Sequence, residues 1–244
     1  MGGAANDIVS NIENITGGAG NDVLTGDAAG NALLGGAGND LLAGLAGSDT
    51  LDGGAGADTA SYADKTLAVS VTLNGAAAVL VRIGGLVEDT IRNIENITGG
   101  SGDDIVTGDT LANVLSGGAG SDTLAGGGGG DTLSGGAEVD RFLFSAAALG
   151  AAAAQTVTVT DFDRAAGERL DLAGIDANTL LAGTNPFAFI GTAAFGNVAG
   201  QLRYTDLVTQ TRIEGDVNGD GSADLTSVLG GVTGGIAADW FKLS

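Results

Sequence analysis

Residues 17–61 read GGAGNDVLT, GDAAGNALL, GGAGNDLLA, GLAGSDTLD and GGAGADTAS, five consecutive blocks of nine residues. Residues 99–143 read GGSGDDIVT, GDTLANVLS, GGAGSDTLA, GGGGGDTLS and GGAEVDRFL, a second run of five. The segment NIENITGG opens both copies, at residues 11–18 and 93–100. A fixed period of this kind is typical of proteins that stack one structural unit on the next. The two copies also indicate that a unit of about 80 residues was duplicated.

Each block divides into a turn and a short strand. In the first half, GGxGx, glycines permit positive φ and let backbone carbonyls approach closely. The second half is a three-residue strand whose central side chain points inward. These central residues are Leu24, Leu33, Leu42, Leu51, Val106, Leu115, Leu124, Leu133 and Phe142. Two blocks therefore predict one coil, and stacked coils about 4.8 Å apart bury a ladder of apolar side chains between two parallel sheets.

The sixth residue of each block is an aspartate or an asparagine. The ten positions are Asp22, Asn31, Asp40, Asp49, Asp58, Asp104, Asn113, Asp122, Asp131 and Asp140. Alternate blocks share an edge, so the first run predicts one column of Asp22, Asp40 and Asp58 and an opposite column of Asn31 and Asp49. The second run repeats this arrangement, with Asp104, Asp122 and Asp140 against Asn113 and Asp131.

Stacked carboxylates need a cation. Neighbours one coil apart repel by about 1 kcal/mol per pair even in water, and by more in a partly dehydrated turn. Carboxylates together with backbone carbonyls form an all-oxygen site, which favours Ca²⁺ over Zn²⁺ or Mg²⁺. A single GGxGxD is as consistent with a solvated turn, but ten blocks in register favour metal binding.

Composition excludes several functional classes. The chain has 30 acidic against 9 basic residues and a net charge of -21, which argues against nucleic acid and anionic membranes as partners. A hydrophobic fraction of 43% and a single proline argue against disorder. The absence of cysteine and histidine excludes disulfides, thiolate nucleophiles, Ser-His-Asp triads and HExxH zinc sites. We therefore expect a module that is not an enzyme.

Two kinds of membrane and export signal are missing from the sequence. No run of about 18 apolar residues predicts a transmembrane segment. The N-terminal residues MGGAANDIVSN lack the basic and apolar regions of a secretory signal peptide. Export would therefore depend on another signal.

The block GGxGxDxUx resembles the nonapeptide of the repeats-in-toxin (RTX) family. The resemblance implies a parallel β-roll whose turns bind Ca²⁺ through the Asp side chains and turn carbonyls. It also implies that Ala60 and the block containing Glu138, which depart from the pattern, leave weaker binding at the ends of the runs. The carbonyl ligands implied are those of Gly18, Gly20, Gly36, Gly38, Gly54, Gly56, Gly100, Gly102, Gly118, Gly120, Gly127 and Gly129.

The sequence predicts four segments. Residues 1–61 form the first RTX run, and residues 93–144 form the second. Residues 62–92 alternate in AVSVTLN and AAAVLVRIG, which predicts longer strands with a turn near Asn74 and Gly75 that continue or flank the solenoid. Residues 145–244 form a β-rich cap with a secretion-signal region, beginning with a short Ala-rich helix over 146–154.

The cap resembles the C-terminal domain of serralysin-type secreted metalloproteases. The resemblance rests on VTVTDFDRAAGERLDLAGIDANTLL at residues 157–181, PFAFIGTAAFGNVAGQLRY at 186–204 and GDVNGDGSADL at 215–225. In that family a zinc protease domain lies N-terminal to this module, and the present sequence contains no such domain.

Two further features of the cap suggest function. Asp216, Asn218, Asp220 and Asp224 space oxygen atoms as the start of an EF-hand loop does, with Gly221 at the sharp turn but no bidentate Glu at the end. The alternative is a loop without metal. The final residues, DWFKLS at 239–244, resemble the ending of type I secretion substrates. A terminal strand that closes the core would leave the same pattern, and both interpretations can hold together.

These patterns predict an all-β protein, a parallel β-roll with a β-rich C-terminal cap. We expect a secreted, extracellular, calcium-binding module that folds on binding several Ca²⁺ ions after export by the type I secretion apparatus. Six same-edge pairs would bring about +12 of charge against the -21. The alternatives are the C-terminal part of a longer protease or lipase with an upstream catalytic domain, or an adhesive surface protein. An enzyme built on Asp and Glu pairs is the least favoured.

Overall fold

Short strands separated by tight turns make up most of the chain. The computed structural model describes residues 13–145, 156–232 and 235–244. Within these ranges the regular structure consists of strands and a 3-10 turn at Ala238–Trp240. The all-β prediction is confirmed for these ranges. The predicted helix over 146–154 lies outside the described residues.

The first run forms coils that alternate between two eleven-stranded sheets, here sheet I and sheet II. Each strand pairs in parallel with the strand one coil later, so that Leu33 lies opposite Leu51 and Leu24 opposite Leu42. Two blocks therefore make one coil. Sheet I receives β1 (Asn14–Ala19), β3 (Ala32–Ala37) and β5 (Thr50–Ala55), and sheet II receives β2 (Val23–Thr25), β4 (Leu41–Ala43) and β6 (Thr59–Ser61).

The predicted apolar ladder forms the core between the sheets. Leu42, Leu51, Leu115 and Leu133 are fully buried, and each is the second residue of its strand. The predicted three-residue strand is correct for Leu41–Ala43, but the strands of the other three leucines are six residues long because they continue into the glycines of the next block. Ala60 is also fully buried, so the smaller side chain keeps the inward position in β6. The period of nine thus places one side chain per block in the core.

Residues 62–92 widen sheet I. They contain β7 (Val69–Thr72), β8 (Val79–Ile83) and β9 (Leu86–Arg92), which lie between β5 and β11 and are antiparallel at both internal pairings. The first hairpin turns at Asn74 and Gly75, where Gly75 has φ 54° and the Ala77 N–H donates to the Asn74 carbonyl over 3.1 Å. In sheet II, β6 pairs directly with β10 (Asn96–Thr98).

The second run lies half a coil out of phase with the first. Strand β1 of the first NIENITGG segment belongs to sheet I, whereas its counterpart β10 belongs to sheet II. The chain normally alternates between the sheets from one strand to the next. The three inserted strands all join sheet I, so the strand that follows them, β10, lies in sheet II. The second run continues with β11 (Ile105–Thr107), β12 (Val114–Ala119), β13 (Thr123–Ala125), β14 (Thr132–Ala137) and β15 (Arg141–Ser145).

The cap extends both sheets. Its strands are β16 (Thr156–Val159), β17 (Arg169–Gly174), β18 (Ala188–Phe189), β19 (Gln201–Asp206), β20 (Gln210–Asp216), β21 (Leu225–Gly230) and β22 (Phe241–Lys242). Strands β19, β20 and β21 form an antiparallel meander in sheet II. Strand β22 pairs in parallel with β17 at the end of sheet I, and Phe241 is 7% exposed. The C-terminus therefore closes the core as a strand.

Candidate calcium sites

The predicted aspartates form two columns, one along each edge of the solenoid. Each residue directly precedes a strand, which fixes its position in the coil. The residues before sheet II strands are Asp22, Asp40, Asp58, Asn113 and Asp131, here column II. The residues before sheet I strands are Asn31, Asp49, Asp104, Asp122 and Asp140, here column I. Because of the half-coil shift, Asp22 and Asp104 lie on opposite edges although they are equivalent in the duplicated sequence.

One carboxylate oxygen of six column aspartates accepts a backbone N–H from the coil before it. The Oδ1 atom of Asp40 accepts the Asp22 N–H over 2.8 Å, and Asp58 Oδ1 accepts the Asp40 N–H over 2.7 Å. In the second run, Asp140 Oδ1 accepts the Asp122 N–H over 2.9 Å. The same bond joins Asp49 to Asn31, Asp122 to Asp104 and Asp131 to Asn113. The side chains are therefore held in register by the backbone.

The second carboxylate oxygen is buried and accepts no hydrogen bond in the described structure. This holds for Oδ2 of Asp40, Asp49, Asp58, Asp122, Asp131 and Asp140. A buried carboxylate oxygen without a partner is strongly unfavourable unless a cation neutralises it. The columns thus present an aligned series of uncompensated negative charges.

Backbone carbonyls of one coil lie close to the turn glycines of the neighbouring coils. A Cβ on Gly36, whose φ is 113°, would lie 2.2 Å from the Gly18 oxygen, and a Cβ on Gly38 would lie 2.3 Å from the Gly20 oxygen. In the opposite direction, a Cβ on Gly17 would lie 2.5 Å from the Gly35 oxygen. Only glycine leaves room for this stacking. The carbonyls of Gly100, Gly102 and Gly118 are placed in the same way against Gly118, Gly120 and Gly136.

The remaining predicted carbonyl residues share the turn conformation. Gly54, Gly56, Gly127 and Gly129 all have positive φ and lie against a carbonyl of the preceding coil. The block with Glu138 keeps this conformation without glycine, since Glu138 has φ 83°. We retain all of these positions as proposed ligands.

Two acidic residues that the repeats did not reveal join the columns. Asp89 extends column I, and its Oδ1 accepts the Asp49 N–H over 2.9 Å. Glu95 extends column II, and its Oε2 accepts the Asp58 N–H over 2.9 Å. Neither follows a GGxGx turn, but Asp89 precedes the T-I-R strand pattern and Glu95 lies in the repeated NIENITGG. These two local patterns were the available signals.

The donor set fits calcium. Within the described ranges no three carboxylates converge on one point, so backbone oxygens must complete any coordination shell. Carboxylates mixed with carbonyls suit a hard cation with flexible coordination. The unpaired Oδ2 atoms and the glycine turns, which a Cβ would fill, support the same conclusion.

Comparison with known families agrees with this geometry. Residues 9–42 and 25–60 match the RTX calcium-binding nonapeptide repeat. Residues 52–239, more than half of the chain, match the family described as peptidase M10 serralysin C terminal. The chain belongs to the serralysin C-terminal family. Calcium is accordingly its cofactor, and both matched domains are non-catalytic.

Similarity to individual proteins is lower. No curated protein matches this serralysin C-terminal chain in sequence. Among solved structures, the crystal structure of extracellular lipase LipA from Serratia marcescens aligns with 18% identity and a TM-score of 0.32. The alignment covers 97% of this chain and 41% of the lipase, so the chain spans less than half of that protein. No helix in the described ranges is long and apolar enough to cross a membrane.

Burial raises the pKa values of several of the RTX column carboxylates. Burial raises the pKa of Asp122 to about 7, with Asp104 and Asp140 adding to the increase and the Asp104 N–H opposing it. Burial likewise raises the pKa of Asp131 and of Asp49 to about 6. Without a cation these groups hold protons far above their usual range, as uncompensated carboxylates should.

The EF-hand-like loop of the serralysin cap differs from the columns. Asp216 Oδ1 and Oδ2 accept the N–H groups of Gly219 and Gly221 over 2.6 and 2.9 Å. Asp224 Oδ2 accepts the Val217 N–H over 2.8 Å, and the Asn218 and Asp220 side chains accept N–H groups within the loop. The β20–β21 loop is thus held by its own hydrogen bonds. Calcium binding there stays a prediction.

Proposed function

We propose that this chain is the calcium-responsive folding module of an exported protein. The observation that carries the proposal is the series of buried Oδ2 atoms without hydrogen-bond partners along columns I and II. Without Ca²⁺ their repulsion and desolvation oppose the folded state. Repeat strands of three to six residues, each with one or two inward side chains, bury too little apolar surface to compensate for the lost conformational entropy. Calcium binding then supplies folding free energy.

The direction of the switch fits passage out of a cell. With little free Ca²⁺ the chain stays unfolded and can pass through a secretion channel, and abundant Ca²⁺ outside folds it. We propose the type I secretion apparatus as the partner and the segment DWFKLS, residues 239–244, as its signal. In the folded chain Phe241 is buried in β22, so the whole segment is exposed only before folding.

We propose that the module follows a catalytic domain that it helps to export. The serralysin family supports a position C-terminal to a secreted catalytic domain such as a protease. The absence of histidine and cysteine supports a non-catalytic role for this chain itself. In this proposal the column carboxylates bind metal, so they are not available as the acid and base of a catalytic pair.

The first experiment is far-UV circular dichroism of the chelated protein during a Ca²⁺ titration, with Mg²⁺ as the control ion. We expect a cooperative gain of β signal between about 0.1 and 10 mM Ca²⁺ and none with Mg²⁺, because Mg²⁺ requires a stricter octahedral shell. A chain already folded in chelator would overturn the calcium switch.

A second experiment separates export from folding. Deletion of residues 239–244 should abolish release from cells that carry a type I system. A variant that cannot bind calcium in the columns should still be exported, because calcium acts after passage. Retention of that variant inside the cell would contradict the proposed order of events.

A further inference from the structure

Lys65 lies at the point where column I is interrupted. It follows β6 in the segment that leads to the three inserted strands, and it is 8% exposed. The Nζ atom donates to the Leu45 carbonyl over 2.6 Å, contacts Glu88 Oε1 and lies 3.8 Å from Asp64 Oδ2. A buried ammonium with an all-oxygen environment is unusual for a lysine, which normally extends its charge into solvent.

One of the oxygens around Lys65, the Leu45 carbonyl, comes from a proposed calcium-ligand position. Leu45 is the second residue of its block, the position at which Gly18 and Gly36 direct their carbonyls to the next coil. Leu45 has φ 63°, so it keeps the turn conformation of those glycines. Its carbonyl bonds to the ammonium.

The same junction holds the column I carboxylates of two successive strands. Asp49 and Asp89 are joined by the Asp49 N–H bond to Asp89 Oδ1; the Oδ2 atom of Asp49 is buried and unpaired, and the buried Tyr62 hydroxyl lies beside the Asp89 carboxylate. Burial raises the pKa of both carboxyls, and the charge of Lys65 opposes this increase at both. The ammonium therefore acts on both carboxylates by its charge, while its direct ion pairs are with Glu88 and Asp64.

A glycine turn is missing on the Asp89 side. Gly84 and Gly85 form the tight hairpin turn between β8 and β9, and the residues from Leu86 onward are already paired with β8. Every other column I aspartate of the repeats follows a GGxGx-type turn that directs backbone carbonyls towards the next coil. No such turn can form before Asp89. A calcium ion here would lack half of its backbone ligands.

The backbone of Lys65 serves the second run. A Cβ on Gly100 would lie 2.3 Å from the Lys65 carbonyl oxygen, as one on Gly118 would lie 2.2 Å from that of Gly100. The Val69 N–H donates to Asp104 Oδ1 over 2.7 Å. It takes the place of the backbone N–H of a column aspartate, such as that of Asp104, which donates to Asp122 Oδ1 in the next coil. One residue thus joins the runs, with its ammonium towards the first and its carbonyl towards the second.

We propose that the Lys65 ammonium replaces a calcium ion at the Asp49–Asp89 junction. Column I then has a permanent positive charge between its two calcium-binding parts, and the junction forms without metal. The inference rests on the proposed calcium function, because it assigns to an amine a place that calcium takes in the other coils.

The experiment compares Lys65→Met, Asp89→Asn and the double variant with the wild-type chain, all in saturating Ca²⁺. Met retains the apolar stem and removes the charge, which leaves Asp49, Glu88 and Asp89 without a cation. We expect the melting temperature of Lys65→Met to fall by roughly 6–12 °C. Asn at position 89 keeps the acceptor for the Asp49 N–H and removes one charge, so the double variant should recover most of the loss.

The control is Lys242→Met. Lys242 pairs with Asp171 over 3.2 Å, but Arg141 also pairs with that carboxylate, so a shift of about 3 °C at most is expected. A Lys65→Met loss that Asp89→Asn does not relieve would show that only packing is involved and would overturn the proposal, as would an unchanged melting temperature. These melting temperatures test the role of Lys65 and do not require that folding depends on calcium. The calcium titration of the wild-type chain tests the proposed function independently.

Discussion

Asp122 and Asp104 lie one coil apart, with the Oδ1 atom of Asp122 accepting the Asp104 N–H over 2.7 Å while its Oδ2 atom is buried and unpaired. One oxygen therefore fixes the side chain and the other remains available for a cation. This division of roles recurs along both columns and leads to a set of direct tests.

Asp122→Asn should have opposite effects with and without calcium. Asparagine keeps an acceptor for the Asp104 N–H and removes the buried charge, so the metal-free protein should become more stable. The calcium-bound protein should lose roughly 1–3 kcal/mol, because a charged ligand has gone. Urea unfolding in saturating Ca²⁺ measures the loss, and the β signal of the chelated variant by circular dichroism, compared with that of the wild-type chain, measures the gain. Equal effects in the two conditions would contradict a ligand role.

Acid should favour folding of the metal-free chain. The pKa of Asp122 is about 7 and that of Asp131 about 6 in the folded metal-free chain, against 3.8 for the unfolded groups. Protons therefore bind the folded state more tightly, and metal-free stability should be greatest near pH 4 and fall as pH rises to 7. Between pH 8 and pH 5.5 the carboxylates of the unfolded chain are already ionised, so calcium-driven folding releases no protons and its calcium midpoint should not rise as the pH falls. Dichroism in chelator should show β signal increasing as the pH falls from 7 towards 4, and the absence of such an increase would contradict raised pKa values in the folded chain.

Gly117→Ala should prevent normal packing of a turn. The added Cβ would lie 2.0 Å from Asp122 Oδ2 and 2.7 Å from the Gly135 oxygen. We expect a loss of roughly 3 kcal/mol in saturating Ca²⁺, measured by urea unfolding. Gly20→Ala is the matched control, since its Cβ would meet nothing within 4 Å, and it should change stability by less than about 0.5 kcal/mol. Similar losses in both variants would mean that glycine acts through backbone entropy alone.

Phe241→Ala should destabilise the folded cap. Phe241 is buried beside Phe189, with ring centroids 5.4 Å apart, so its loss leaves a cavity at the end of sheet I. A decrease of about 3–5 kcal/mol in the free energy of unfolding is expected from thermal or urea denaturation. Val208→Ala, at a side chain that is 95% exposed, should have no measurable effect. An unaffected Phe241→Ala variant would show that β22 is not needed to close the core.

The sequence predicted those parts of the molecule that depend on a local period. A nine-residue block with one apolar residue at its eighth position specifies a strand with one inward side chain, and this placed Leu42 and Leu124 in the core. The same block predicted the stacking of Asp40 on Asp22. Both results follow because each coil repeats the contacts of the one before it.

The sequence alone determined the repeat, the strand and turn in each block, the apolar ladder and the acidic columns, because each depends on residues within nine or eighteen positions of one another. Only the tertiary structure placed Asp89, Glu95 and Lys65 in those columns and moved the second run to the opposite phase. These features depend on the three strands inserted in sheet I, which bring together residues up to 40 positions apart, such as Asp49 and Asp89. Pairing over that distance depends on strand register and packing. The nine-residue period is absent from the inserted strands, so the sequence could not predict which of their residues meet the columns.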